Sequence, residues 1–282
     1  MDLVEALGLG GAAAIAAIFG SMLGLGGGVF LVPIFTLFFG IDPKIAIAAS
    51  AVSVITNSVV GSRIHLSNGF TNIHLAMLLG LTTVTGAIAG AVIALVANAN
   101  VLNFIFGIVL LAAATSMLVR RQVPIPNSQP DDPDPFQLGA GFVDRATGQT
   151  VSYIPQNVPL GLGASGFAGI LSGLLGVGGG VIQVPMMNLL MRVPMKAAAG
   201  TSSFLVGMTA VATAALFYAD GKIDATVVVP AMIGIFAGGQ LGSTFTSRMK
   251  TANLVLLFVV IMAYLAISMI LKSFGITLPG QE

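Results

Sequence analysis

The segment Gly24-Leu25-Gly26-Gly27-Gly28-Val29-Phe30-Leu31-Val32-Pro33 returns 152 positions later as Gly176-Val177-Gly178-Gly179-Gly180-Val181-Ile182-Gln183-Val184-Pro185. The offset holds without a gap far beyond this string. Lys44 falls on Lys196, Ser50 on Ser202, Gly69 on Gly221, Gly86 on Gly238 and Gly90 on Gly242. Such a chain is two copies of one structural unit, each opened by a backbone too rich in glycine to continue as regular helix. In a membrane, a glycine-rich break at the same depth of each half is a transporter's layout.

A membrane is what the composition demands. Hydrophobic residues make up 56% of the 282 and charged residues 7%, with a mean hydropathy of +1.01. A soluble domain carries about 25% charged residues, so this chain lacks the polar surface to face water. With a net charge of +1 and no basic run, nothing suits a nucleic-acid partner. Cysteine is absent, which removes disulfides and thiolate metal sites, and no other metal-ligand cluster is present. No cofactor is expected. Asp2 and Glu5 precede the first apolar run, the reverse of a signal peptide's basic start, so that run reads as a mature membrane segment.

Proline, glycine, asparagine and charged residues divide the apolar stretches into roughly 3–23, 29–40, 44–66, 72–97 and 101–119, then 156–175, 181–191, 196–218, 224–247 and 251–272. A full span needs about 20 residues, which most of these supply. The stretches 29–40 and 181–191 do not: at about 1.5 Å per residue they cross only half of a ~30 Å hydrocarbon core. Both follow a glycine cluster directly, which predicts a hairpin that enters the membrane, breaks, and returns as a short helix. The expected domains are a first repeat over 1–119, a linker over 120–155 and a second repeat over 156–282.

Basic residues select the topology. If each hairpin returns to the side it left, Arg63, Arg120, Arg121, Arg145, Arg192, Lys196, Arg248 and Lys250 share one side, against Lys44, Lys222 and Lys272. Treating each long-plus-short pair as one broken span would divide the eleven basic residues six to five. The positive-inside rule therefore selects an all-α integral membrane protein of two inverted repeats, each of about five hydrophobic segments. Both termini are then extracytoplasmic and the loop at 120–155 cytoplasmic. Within that loop, Pro124-Ile125-Pro126 and Pro130-Asp131-Asp132-Pro133-Asp134-Pro135 read as an extended acidic linker. Phe142-Val143 and Thr150-Val151-Ser152-Tyr153 suit a small hairpin. The loop reads as a tether, with a regulatory or partner-binding role as the alternative.

After each glycine cluster a short helix begins, and its first N–H groups lack intrahelical acceptors. Those donors and the positive end of the helix dipole make an anion site. Gly26, Gly27 and Gly28 with Gly178, Gly179 and Gly180 are thus candidate binding residues; the alternative is that they only permit close helix packing. Pro33 and Pro185 sit inside the short helices and free one carbonyl each. In the next segment Ser50, Ser53 and Asn57 lie at i, i+3 and i+7 on one helix face, and the second half supplies Thr201, Ser202, Ser203 and Thr209. Gln183, in the first turn after the second cluster, is the sharper of the two amides Gln183 and Asn188. For each hydroxyl the competing reading is back-bonding to its own helix, which is the reading preferred for Thr82, Thr83 and Thr85. Asp42, Asp220 and Asp224 fall at segment ends, and only His65 and His74 could couple protons; both read better as interfacial residues.

Gly163-Ala164-Ser165-Gly166 matches the short string at the serine of rhomboid-type intramembrane proteases. Both histidines precede it, whereas that family's base follows. The glycine clusters follow no strand and form no dinucleotide fingerprint. Through Gly24 to Pro33, Ala49-Ser50 with Gly200-Thr201-Ser202-Ser203, Gly69 with Asp220-Gly221-Lys222-Ile223-Asp224, and the pairs Gly86/Gly90 and Gly238/Gly242, the chain resembles the TauE/SafE-type sulfite exporters, also called the 4-toluene sulfonate uptake permease family. The resemblance covers nearly all of it except 120–155, which is long for that family. It implies movement of sulfite, sulfoacetate or another sulfonate across the bacterial inner membrane, in either direction.

The combined expectation is a secondary transporter, not an enzyme, that moves a small sulfur-containing oxyanion by alternating access. Glycine-cluster amides would hold the anion electrostatically, with Ser50, Ser53, Asn57, Gln183, Thr201 and Ser202 as directional donors. A passive anion channel and an intramembrane serine hydrolase are the competing readings. The expected partners are the substrate and the bilayer, with a homodimer left open.

Overall fold

The computed structural model describes residues 3–22, 27–118, 134–144, 149–245 and 251–276. Gly26, the acidic linker up to Pro133, and Arg120, Arg121, Arg145, Arg248 and Lys250 lie outside them, as does Asp2. The first half runs α1 (Leu3–Met22), α2 (Gly28–Phe38), α3 (Pro43–Ser67), α4 (Ile73–Val96) and α5 (Ala99–Leu118). A hairpin of β1 (Ala140–Asp144) and β2 (Gln149–Tyr153) follows, with Phe142 opposite Val151. The second half repeats the succession as α6 (Val158–Leu175), α7 (Gly180–Leu189), α8 (Met195–Ala219), α9 (Ala225–Phe245) and α10 (Thr251–Ser273).

Local chemistry sets these boundaries. Asp42 caps α3 by accepting from the Lys44 amide, with Pro43 at the first helical position. Asn72 caps α4 by accepting from the Leu75 amide. Glycines in the left-handed region stop or start helices where a β-carbon would be strained, as at Gly176 (φ 64°) after α6. Among the described residues, five helices are long and apolar enough to cross a membrane: α3, α4, α5, α6 and α8. Their outward residues are apolar too. Leu81 of α4 is 71% exposed and Val59 of α3 66%, surface that lipid can cover favourably in a chain of this composition.

The long helices pair across the halves, while the short α2 and α7 pack mainly within their own. α4 lies on α6, α1 on α9, α5 on α10 and α3 on α8. Small residues make this possible. A β-carbon at Gly86 would overlap the Gly166 carbonyl, one at Gly90 the Ile170 carbonyl, and one at Gly173 the Ala87 carbonyl. In the α1–α9 pair, Gly234 meets the Gly10 carbonyl and Gly238 that of Ala14 in the same way. In lipid such packing replaces the hydrophobic effect as the force that joins helices. Thr82, Thr83 and Thr85 back-bond to carbonyls of their own helix, as the packing reading expects.

The hairpin is docked. Leu138, Phe142 and Tyr153 are buried in one cluster with Leu75 and Leu79 of α4 and Met187 and Met191 at the end of α7. Asn72 Nδ2 donates to the Leu138 carbonyl at 2.8 Å, and the Gln156 amide to the Met191 carbonyl at 2.9 Å. Whatever the residues before Pro133 do, this part of the loop is bound to the membrane helices.

Candidate functional site

The two glycine breaks meet inside the protein. Gly27 caps α2 with φ 75°, and Gly178 and Gly179 precede α7 with φ 77° and 73°, conformations in which only glycine is unstrained. A β-carbon at Gly28 would stand 3.2 Å from the Val177 backbone and press on Val54 and Ser50, so no larger residue fits this junction. Ser50 of α3 closes it: its Oγ donates to the Gly176 carbonyl at 2.9 Å and contacts the Gly28 carbonyl at 3.3 Å. Thr209 of α8 supports the second break alone, with Oγ1 3.3 Å from the Gly178 carbonyl.

Around the second break lie polar groups with nothing to bind. Gln183 is fully buried, and its Nε2 has no acceptor; its Oε1 makes only a long 3.5 Å contact to Ser202 Oγ. Ser172 Oγ, on α6, is buried and unpartnered, 3.5 Å from where a β-carbon on Gly179 would be. Ser53 Oγ of α3 is buried and unpartnered too. A buried donor left unmade costs about 1–3 kcal/mol, which makes these groups the candidate site.

The other expected residues separate. Thr201 points away, accepting from the Asn72 amide at 3.1 Å where α4 begins, because it lies about 100° around α8 from Ser202. Asn57 is half-buried against Gly239 of α9, whose β-carbon its Oδ1 would exclude. Asn188 is spent on the Val193 carbonyl. Gly180 starts α7 and is buried. Two residues escaped the sequence reading. Ser58 ties α3 to α8 by donating to the Ser203 carbonyl at 2.7 Å. Ser172 stands one turn before the second break and seven residues after Ser165, a spacing that places both on one helix face.

Charges keep to the ends. Lys44 Nζ donates to the Leu95 carbonyl near the end of α4, and Lys272 Nζ to the Thr36 carbonyl near the end of α2, where a cation also meets the negative end of the helix dipole. Lys44, Lys222 and Asp42 line one polar cleft with Asn98. Ser165 Oγ, the serine of the hydrolase reading, is buried and has no hydrogen-bond partner among the described residues.

A family model described as "Sulfite exporter TauE/SafE" matches residues 9–269. The chain is similar to a probable membrane transporter protein, YunE, of Bacillus subtilis, with 25% identity over 83% of each chain. A probable membrane transporter protein of Xylella fastidiosa shares 26% over 97% of each chain. The probable membrane transporter protein MJ0441 of Methanocaldococcus jannaschii shares 24% over 91% of this chain and 92% of its own. No solved structure matches.

Proposed function

Because the chain belongs to the TauE/SafE sulfite exporter family of membrane transporters, we propose that it is a secondary transporter of a small sulfur-containing oxyanion, working by alternating access. The observation that carries this reading is the junction of the two breaks, where the unpartnered Gln183 amide and Ser172 hydroxyl lie beside the N-terminus of α7. Donors at a helix N-terminus suit an anion, and neutral donors let it leave again. The site residues are then Gly27, Gly28, Gly178, Gly179, Gly180, Ser50, Ser53, Ser172, Gln183 and Ser202.

We read the two halves as an inverted repeat, and the helix pairing supports their two-fold relation. Under the 152-residue offset α1 corresponds to α6 and α4 to α9, so the α1–α9 and α6–α4 pairs exchange into one another, and α3–α8 and α5–α10 map onto themselves. The contact of Gly86 with Gly166 likewise corresponds to that of Gly238 with Ala14. Two rigid pairs related this way can rock about a central site. Lys44 and Lys222 share a cleft at one end of the bundle, while the hairpin docks at the other end, near Arg192. This supports extracytoplasmic termini and a cytoplasmic hairpin in the bacterial inner membrane.

Counterflow in proteoliposomes tests the mechanism. A carrier loaded inside with unlabelled sulfite accelerates uptake of labelled sulfite; a channel shows no such trans-stimulation. Absence of trans-stimulation with intact flux would replace the carrier by a pore.

A further inference from the structure

Two of the unpartnered donors, Gln183 Nε2 and Ser172 Oγ, belong to the second half. At the shared offset, Gln183 corresponds to Leu31 and Ser172 to Gly20, both without a side-chain donor, although Ser50 and Ser202 are the same residue type. Gln183 and Leu31 are each fully buried in the first turn of their short helices. An anion held at the second break therefore meets Gln183 Nε2, Ser172 Oγ and the first amides of α7, all of them uncharged donors.

Among the described residues, the cations of the packed elements stand at helix ends. Of the elements packed against α7, α6 and α5 carry no titratable residue along their helical length. α8 has Lys196 in its first turn, with Tyr218 and Asp220 at its far end. α3, which reaches the break through Ser50, has Lys44 at one end and Arg63 and His65 at the other. The hairpin adds the buried Tyr153 and, before its first strand, Asp134, whose carboxylate accepts from the Leu138 and Gly139 amides.

Charge then decides between ligands. The cost of removing an ion from water grows as the square of its charge, whereas its attraction to fixed neutral dipoles grows only in proportion to charge. A second negative charge thus quadruples the penalty and merely doubles the gain. Without a cation beside it, an uncharged site therefore holds a doubly charged anion less well than a singly charged one.

We propose that Gln183 and Ser172 form an uncharged anion site that selects singly charged oxyanions and rejects doubly charged ones. This rests on the reading of the junction as the transport site. It places the discrimination in Gln183 and Ser172 of the second half.

The test uses the purified full chain and three probes: methanesulfonate, singly charged at every working pH; sulfate, doubly charged; and sulfite, which exchanges between one and two charges near neutral pH. Methanesulfonate should raise the melting temperature and be taken up by proteoliposomes, while sulfate at equal ionic strength does neither. Apparent sulfite affinity should fall about tenfold per pH unit once the doubly charged form dominates, following the fraction of competent ligand, with methanesulfonate affinity flat over the same range. Ser172→Ala and Gln183→Leu should each weaken methanesulfonate at least about tenfold, roughly what losing one hydrogen bond to a charged group yields. Ser172 Oγ and Gln183 Nε2 are unpartnered and Gln183 Oε1 has only its long contact with Ser202, so near-unchanged melting of the ligand-free variants checks their fold. Sulfate binding as tight as methanesulfonate, or a sulfite affinity that is flat or rises with pH, overturns the selectivity. If neither anion binds nor crosses, the transport reading itself fails and the proposal falls with it.

Discussion

Ser50 of α3 donates its hydroxyl to the carbonyl of Gly176, more than a hundred residues away, and so binds the second glycine break from the first half of the chain. Its Oγ also reaches the Gly28 carbonyl. Ser50→Ala leaves both buried carbonyls short of a donor and should lower stability by about 1–3 kcal/mol. Thermal unfolding in detergent measures this, and Ser67→Ala, at an exposed end of α3, is the matched substitution expected to cost far less.

The helix caps at the breaks should tolerate no side chain. Gly27 and Gly179 have φ of 75° and 73°, where a non-glycine residue costs roughly 1–2 kcal/mol before any clash. A β-carbon on Gly27 would lie 3.2 Å from the Ala17 backbone, and one on Gly179 3.2 Å from Ser172 Cβ. Gly27→Val and Gly179→Val should therefore abolish transport with membrane insertion intact. Flux assays beside quantified membrane expression decide it; normal flux in both variants would remove the breaks from the site.

Two glycines of α6 should respond in opposite ways. Gly173 abuts the Ala87 carbonyl of α4, whereas a β-carbon on Gly163 meets nothing within 4 Å. Gly173→Ala forces the helices apart at a cost of roughly 1–3 kcal/mol or more. Gly163→Ala should be neutral or slightly stabilising, since alanine is the better helix former. Comparing their melting temperatures reads the difference directly.

The docked hairpin should be separable from the membrane bundle. Phe142 stands edge-on to Phe70 with ring centroids 5.2 Å apart, and Asn72 ties the Leu138 carbonyl to the start of α4. Phe142→Ala removes about 3 kcal/mol of packing at the upper end of what this contact can supply. The expected result is rapid proteolysis within 134–155, with the helices left protected.

Alkaline pH should release the same hairpin. Burial pushes the Tyr153 phenol from its ordinary 10.0 up to about 12, against a smaller opposing effect of its hydrogen bond with Asn72. The docked state then holds a proton that the released state gives up, so docking is fully stable below pH 10 and loses stability as pH rises from 10 to about 12. Proteolytic susceptibility across that window checks the sign, and Tyr153→Phe should remove the dependence.

Element order and boundaries were legible because apolar runs, helix caps and glycine breaks are all local signals. The short helices at Gly28–Phe38 and Gly180–Leu189 are close to the stretches 29–40 and 181–191 expected from sequence. The hairpin at Phe142 and Val151 was readable for the same reason. Partners of individual hydroxyls were not. Thr201 and Ser202 are adjacent in sequence yet face different helices, one the Asn72 amide and the other Gln183. Which of them meets the breaks depends on the rotation of α8, fixed only when α3 and α4 pack against it. Ser172 was missed because serine among glycine and alanine is common in membrane helices, and only a three-dimensional neighbour, Gly179, gives it direction.

The exchange of α1 and α6 between halves has a consequence for biogenesis. Gly10 and Ala14 acquire their neighbours on α9 only after the chain has been extended from α1, ending at Met22, to Ala225 and beyond. During synthesis, α1 must therefore wait in the bilayer with its small-residue face covered by lipid or by an insertion factor. Long-range pairing of this kind slows assembly. Ribosome-bound fragments ending before α9 should be readily degraded by membrane proteases, and co-expressed halves should mature only together.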